Sequence, residues 1–503
     1  MQRELKAGVI LNYLSIGLNL AMGLLLTPII ITKLGMTEYG LFMLSNSIIA
    51  WLGLTDFGLG ATVTRYVIFY QARRRFNRQA YFLGQIILLF CVLGLAALGL
   101  GVAGFYHLSS LLPEADETQL HLLRILYIIT LSNFVLSFPL RPLAAIPSAY
   151  RRFLVPGIAG LVQALLNIGL TLPVLWLGGR AVALTLLAFA LNMGLMLWQV
   201  GYAFRSLGAR VIFRWPDWKL YRSMFGFSFW VMLNQLMDLL YWQIGTPIVA
   251  RVCGPQAVAL YTLGISFTRY FMTLSTAISG VAAPEVMHRA AQHQSPHELT
   301  GLMIRVGRWQ LCILGILLSG FCLFGRDFLQ LWVGSSIGSA TTQVWLGALA
   351  VLLPLMLPLI QNTGIAILQA AQLHHGRAVI LLISAMVCLI PGYLLTVHYG
   401  PTGMFCGTAL SLLLGHGLLL NLYYSRRAGL DMQAFFREVC YPVLLPLGIC
   451  LAGGWAIPVF LRCNDWYTLL SLGGGYAIFA TLVFYLLYLR RDERAVLFSL
   501  FRK

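Results

Sequence analysis

The chain has 503 residues, 59% of them hydrophobic and only 10% charged. So few polar side chains cannot coat a water-soluble globule of this size, which excludes a soluble enzyme or binding module and makes lipid the solvent. The formal charge of +18 is spread over short segments between apolar runs rather than gathered into a block, so no nucleic-acid partner is expected.

Apolar runs recur from end to end, each long enough to cross a hydrocarbon core of roughly 30 Å as a helix. The period-two alternation of a membrane barrel is not visible, and a spanning segment must satisfy its own backbone, so the expected element is the α-helix. The first run follows Met1 to Lys6 directly. It exceeds a signal-peptide core and lacks a small-x-small cleavage site, and is expected to stay as an anchor. Hydropathy places spans near 8–32, 39–68, 80–106, 121–148, 153–176, 181–204 and 222–250, then 257–287, 301–325, 339–369, 377–398, 402–424, 440–461 and 466–489.

Fourteen spans put both termini on one side. Twenty-five of the 34 Lys and Arg fall on that side, including Arg73, Arg74, Arg75 and Arg78, the run Arg205 to Arg222, and Arg305 and Arg308. Six fall opposite (Lys33, Arg124, Arg180, Arg251, Arg326 and Arg462), and Arg65, Arg141 and Arg269 fall inside spans. By the positive-inside rule both termini are cytoplasmic, and Trp215 and Trp218 beside Arg214 and Lys219 fit an anchor at the inner interface.

No loop is long enough to fold alone. The longest outer connection runs from His107 to Leu120 with Glu114, Asp116 and Glu117, and the longest inner one from Arg205 to Tyr221. Chemistry must then take place within the bundle or at its rims, which favours translocation over catalysis. Prolines 139, 142 and 147, and 354 and 358, are expected to break their helices at positions where a gate can flex, or to be the prolines that membrane helices tolerate. The nine cysteines show no C-x-x-C spacing and read as small buried hydrophobes. His288, His293 and His297 match no metal-ligand spacing, and neither a metal nor a cofactor is expected.

The chain repeats itself at an offset of 219: TPIIITKLGMTEYGLFMLSNS from Thr27 aligns with TPIVARVCGPQAVALYTLGIS from Thr246, with seven of 21 positions identical, Gly35 against Gly254 among them. Both segments join an outward-going helix to an inward-going one, so the repeat is parallel. The expected fold is all-α and integral to the membrane, with two pseudo-symmetric six-helix bundles, residues 1–210 and 211–430, and a helix pair with a cytoplasmic tail, 431–503.

Residues 34–67, LGMTEYGLFMLSNSIIAWLGLTDFGLGATVTRYV, together with Ala149-Tyr-Arg-Arg-Phe153, Ala283-Pro-Glu285 and the fourteen-span plan, resemble bacterial polysaccharide flippases. These are the Wzx-type O-antigen transporters of the multidrug/oligosaccharidyl-lipid/polysaccharide exporter superfamily. The resemblance implies a carrier, not an enzyme, that moves an undecaprenyl-diphosphate-linked oligosaccharide from the cytoplasmic to the periplasmic leaflet of the inner membrane. A monomer in contact with membrane lipid is expected, and a polysaccharide polymerase is a candidate partner that the sequence does not identify. Cation-coupled drug exporters of the superfamily commonly carry a carboxylate in the first helix and lipid II flippases place arginines there; between Gly8 and Thr32 this chain has neither. A small-molecule antiporter is the second reading, and a membrane glycosyltransferase or ligase, which would need a sizeable outer loop, the third.

An ionisable residue inside a span costs about 2.5–3.5 kcal/mol on insertion scales and is a functional candidate by default. Arg269, roughly 18 Å along its helix from Ala257, can make bidentate hydrogen bonds to a diphosphate or an acidic sugar. It can equally be held by Asp238 as a structural pair. Asp238 and Asp56 are the candidates for ion coupling. Arg65 and Arg141, near the cytoplasmic mouth, are either substrate-capturing arginines or interfacial ones snorkelling to water.

Overall fold

A computed structural model describes residues 2–113, 115–150, 152–291, 295–371, 373–460 and 465–495. Glu114, Arg151, His293 and Arg462 lie outside the described residues, as do the side chains of Ala283, Pro284 and His288. Among the described residues all regular structure is helical. The main helices are α1 (Gln2–Leu34), α2 (Met36–Trp51), α3 (Leu59–Ala72), α4 (Phe76–Tyr106), α5 (Glu117–Ser137), α6 (Leu154–Trp176), α7 (Ala181–Arg205) and α8 (Trp218–Trp242). They continue with α9 (Gly245–Ala291), α10 (Pro296–Ile337), α11 (Thr341–Ile360), α12 (Asn362–Ala370), α13 (His374–Tyr399), α14 (Pro401–Leu412), α15 (Leu420–Ala428), α16 (Tyr441–Phe460) and α17 (Trp466–Leu487).

By length and composition, eleven described segments can cross a membrane. Two of them, Met232–Gly280 and Pro296–Ile360, hold two passes each. A further pass, Met36–Ala72, is broken into α2 and α3 of 16 and 14 residues, each too short to register as one span. That restores the fourteen passes read from hydropathy.

The chain forms two compact units, Met1–Ala259 and Leu260–Lys503. In the first, α1 packs on α6 and α2, α2 on α5, α7 on α5 and α6, and α3 on α4 and α8. In the second, α10 packs on α11, α16 and α17, while α14 packs on α11 and α13. Small residues set the closest of these approaches: a Cβ on Gly407 would lie 2.4 Å from the Gly392 Cα, so α13 and α14 meet almost backbone to backbone. Buried Leu, Phe, Val and Ala fill the rest of each core.

The internal repeat is visible in the backbone. Gly35 separates α1 from α2 with φ 79° and ψ 164°, and Gly254 kinks α9 with φ 77° and ψ 179°, the same conformation, open in practice only to glycine. Thr37 and Gln256, also equivalent at the offset of 219, are bonded to each other, with the Gln256 amide donating to the Thr37 hydroxyl at 3.3 Å.

Helix boundaries follow local chemistry. Ser295 and Glu298 form a capping box at the start of α10. Asp465 caps α17 by accepting from the Thr468 amide at 2.7 Å, and the Thr468 hydroxyl and amide hold its carboxyl below the usual carboxylate range. Prolines 139, 142 and 147 each sit at the start of a single turn, at 138–140, 141–144 and 146–149, so the fourth pass ends as a staircase rather than a helix. Pro354 and Pro358 behave differently, because α11 runs through both and gives way only at Gln361.

Candidate functional site

Two places combine charge with irregular or polar helix, one in each unit. In the first unit the second pass unwinds between α2 and α3. Leu52–Asp56 forms a 3₁₀ turn, followed by Phe57 and Gly58, both left-handed at φ 50° and 70°. A left-handed phenylalanine is uncommon, and two contacts hold it there. Its ring meets Phe225 edge-on at 5.6 Å, and the Asp56 carboxylate accepts from the Gly58 amide at 2.5 Å. Asp56 thus both secures the break and carries a half-buried charge.

The charge opposite Asp56 is Arg141, whose guanidinium lies within its electrostatic reach. Arg141 stands on the proline staircase after α5, its guanidinium over the rings of Phe134 at 4.7 Å and Phe138 at 5.2 Å, as a cation–π contact requires. A side chain so stacked is held in the protein rather than snorkelling. The structure therefore brings together two sequence-level candidates, one from each proposed role. Arg65 is exposed on α3, and Asp238 is exposed on α8; both interact with other groups of the protein.

In the second unit, Arg269 lies on α9, about 22 Å along the helix from Gly254. Its side chain is exposed and makes no ion pair among the described residues. Its face carries Thr262, Ser266, Thr273 and Thr276 at spacings of three and four residues. Three of these hydroxyls bond back into the helix: Ser266 donates to Leu263 O at 2.7 Å, Thr273 to Arg269 O at 2.8 Å and Thr276 to Met272 O at 2.9 Å. These bonds make a polar stripe tolerable in a membrane helix.

Two ion pairs were not legible beforehand. Glu38, buried on α2, accepts from Arg180 Nε at 2.7 Å and from the Ala181 amide at 2.8 Å, so it caps α7 from another helix. Arg308, counted from the sequence among the cytoplasmic-side charges, is 2% exposed inside α10 and forms a bidentate pair with Glu493, Nε to Oε1 at 2.8 Å and Nη2 to Oε2 at 3.0 Å. The partners stand 185 residues apart, and no local sequence signal joins them. Among the described residues no cluster of His, Cys, Asp and Glu could hold a metal ion.

The fold is shared with flippases and exporters. The inward closed conformation of the lipid II flippase MurJ superposes with a TM-score of 0.70 at 15% identity, covering 95% of this chain and 98% of that one. The inward-facing conformation of a multidrug resistance MATE family transporter of the MOP superfamily superposes with a TM-score of 0.64 at 15% identity, over 84% of this chain and 95% of that one. In sequence, the chain is 23% identical over 512 residues to the uncharacterized membrane protein EpsK of Bacillus subtilis (strain 168), which spans 97% of this chain and 96% of that protein. Residues 5–288, more than half of the chain, match the family described as polysaccharide biosynthesis protein, and the chain belongs to that family.

Proposed function

We propose that the protein is a flippase that carries a polyprenyl-diphosphate-linked saccharide from the cytoplasmic to the outer leaflet of a bacterial inner membrane. The observation that carries this reading is Arg269: an exposed guanidinium without an ion pair among the described residues, on a hydroxyl-bearing face of a membrane helix. Such a face is costly against acyl chains and suited to water and an anionic head group. A guanidinium matches a diphosphate bidentately, and hydroxyls suit a sugar. Arg141 and Arg65 would receive the diphosphate in the first unit, while the polyprenyl tail stays in lipid. The two six-helix halves would expose the head group alternately to each side, with the pair after residue 430 appended. With the cell interior negative, moving two negative charges outward gains about 4–5 kcal/mol per 100 mV, so the potential alone can drive export.

The test is Arg269→Ala in the native host. Surface polysaccharide is lost, lipid-linked saccharide accumulates on the cytoplasmic leaflet, and the protein is inserted at wild-type level. Normal polysaccharide with an unchanged lipid-linked pool removes Arg269 from the mechanism.

The half-buried Asp56 beside Arg141 favours a second reading, a cation-coupled small-molecule antiporter in which Asp56 or Asp238 takes the ion. It predicts drug resistance on overexpression that Asp56→Asn or Asp238→Asn abolishes.

A further inference from the structure

The segment between α7 and α8 is tied down along its length. The Ile212 amide donates to Ala80 O at 3.0 Å, and a Cβ on Gly84 would lie 2.1 Å from Ile212 O. The fully buried Gln85 amide donates to the Arg214 and Trp215 carbonyls at 3.1 Å each. Gln85 Oε1 accepts from the Asp217 amide at 3.0 Å and the Tyr221 hydroxyl at 2.9 Å. A glutamine with its amide and its carbonyl both engaged fixes the loop against α4.

What this anchored backbone turns outward is apolar: Trp215 is 91% exposed and Trp218 77%. With Phe213, Phe225 and the Tyr81, Leu88 and Val92 face of α4, they line an open groove of about 1060 Å³. Positions 81, 88 and 92 share one helix face over about 16 Å. The groove is therefore elongated, aromatic and basic at the Arg214 end and aliphatic at the Val92 end.

The charge at its rim is mainly positive. Arg210, Arg214, Lys219 and Arg222 are exposed and form no ion pair among the described residues. The neighbouring acid, Asp217, is already used: Oδ1 accepts from the Lys219 and Leu220 amides at 3.1 Å each, and Oδ2 from the Tyr81 hydroxyl at 3.3 Å. Indoles settle at head-group depth, and clustered cations beside them select anionic lipid over zwitterionic lipid.

We propose that this groove binds an anionic phospholipid of the surrounding bilayer, with one acyl chain along α4 and the phosphate held by Arg214 and its neighbouring cations. The site lies wholly within the first unit and does not depend on what cargo is carried.

Native mass spectrometry of the full-length protein, equilibrated with equal amounts of phosphatidylglycerol and phosphatidylcholine, tests the proposal. Phosphatidylglycerol is retained preferentially. Arg214→Ala lowers that retention about five-fold, and the Arg210→Ala, Arg214→Ala double variant about 25-fold. Arg214→Lys keeps it, and Val92→Trp, at an exposed position that fills the aliphatic end, lowers retention of both lipids. Unfolding midpoints equal to wild type confirm that each variant is folded. Equal retention of the two lipids, or wild-type binding by Arg214→Ala, overturns the proposal. So does preferential retention of added polyprenyl phosphate over phosphatidylglycerol, which would make the groove part of a cargo path.

Discussion

Replacing Glu493 with alanine is expected to be among the most damaging single changes outside the transport path. Arg308 and Glu493 are 3% and 6% exposed in their side chains, so neither charge is solvated by bulk water. Beyond the bidentate pair, Arg308 Nη1 donates to Glu438 O at 2.8 Å, Nη2 donates to Tyr488 O, and the guanidinium lies 4.5 Å from the centre of the Tyr488 ring. Glu493 also accepts from the Arg490 amide at 2.8 Å. Glu493→Ala leaves the guanidinium with two carbonyls, a ring and only the through-space charge of Asp492, and removal of one partner from a buried pair costs about 3–5 kcal/mol. Replacing both partners by apolar side chains, Arg308→Met with Glu493→Leu, removes the desolvated charges together and is expected to be near neutral, or stabilising by about 1–4 kcal/mol. The assay is equilibrium unfolding in mixed micelles with rising sodium dodecyl sulfate, followed by tryptophan fluorescence, for both single variants and the double one. The reasoning fails if Glu493→Ala stays within about 0.5 kcal/mol of wild type, the range of an ordinary surface substitution, or if the apolar double variant is as unstable as the single one.

Glu38→Ala removes the α7 cap and the Arg180 pair. Because Arg180 is 67% exposed, screening leaves the pair little value, and the expected cost of about 1–2 kcal/mol comes mainly from the lost cap; a cost that vanishes in high salt would show that the pair dominates. Gly35→Ala and Gly254→Ala place a Cβ on the same forbidden backbone conformation, and each is expected to destabilise by about 1–3 kcal/mol; a neutral result at either position would break the structural equivalence of the repeat. Asp56→Asn keeps an acceptor for the Gly58 amide and removes the charge facing Arg141, so transport should fall with little change in the unfolding midpoint. An equal fall in both would reduce Asp56 to a clamp on the helix break.

Hydropathy and charge bias were enough to place fourteen passes because lipid enforces a long apolar run for each one, and the 219-residue offset announced two glycines whose conformations agree within about 15°. What stayed hidden is where helices yield. The unwound turn at 52–58 combines a local bond, the Gly58 amide to Asp56, with a distant contact, the Phe57 ring on Phe225, and no window of sequence places Phe57 beside Phe225. The prolines illustrate the same limit. Those at 139, 142 and 147 each open a turn of their own, whereas α11 carries both 354 and 358, and the spacings of three, five and four residues do not tell the two cases apart. Wide π turns at 413–419 and 436–440 had no compositional mark at all. The Arg308 pair has no local signal because Glu493 stands 185 residues away.

Arg308, Arg141 and Arg269 differ in what neutralises them, and that difference orders their response to an anion. Arg308 has a carboxylate, two carbonyls and a ring within reach, so an incoming phosphate would have to replace a bidentate partner already desolvated with it. Arg141 is stacked on two rings and faces Asp56 only through space, so an anion can join it without breaking a bidentate pair. Arg269 has hydroxyls along its face and no acid bonded to it among the described residues. In a helix long enough to cross the bilayer, such a cation costs about 2.5–3.5 kcal/mol against hydrocarbon, an expense that water or a bound anion offsets. Binding of a diphosphate-bearing head group should therefore stabilise the protein through Arg269 first, through Arg141 second and not through Arg308.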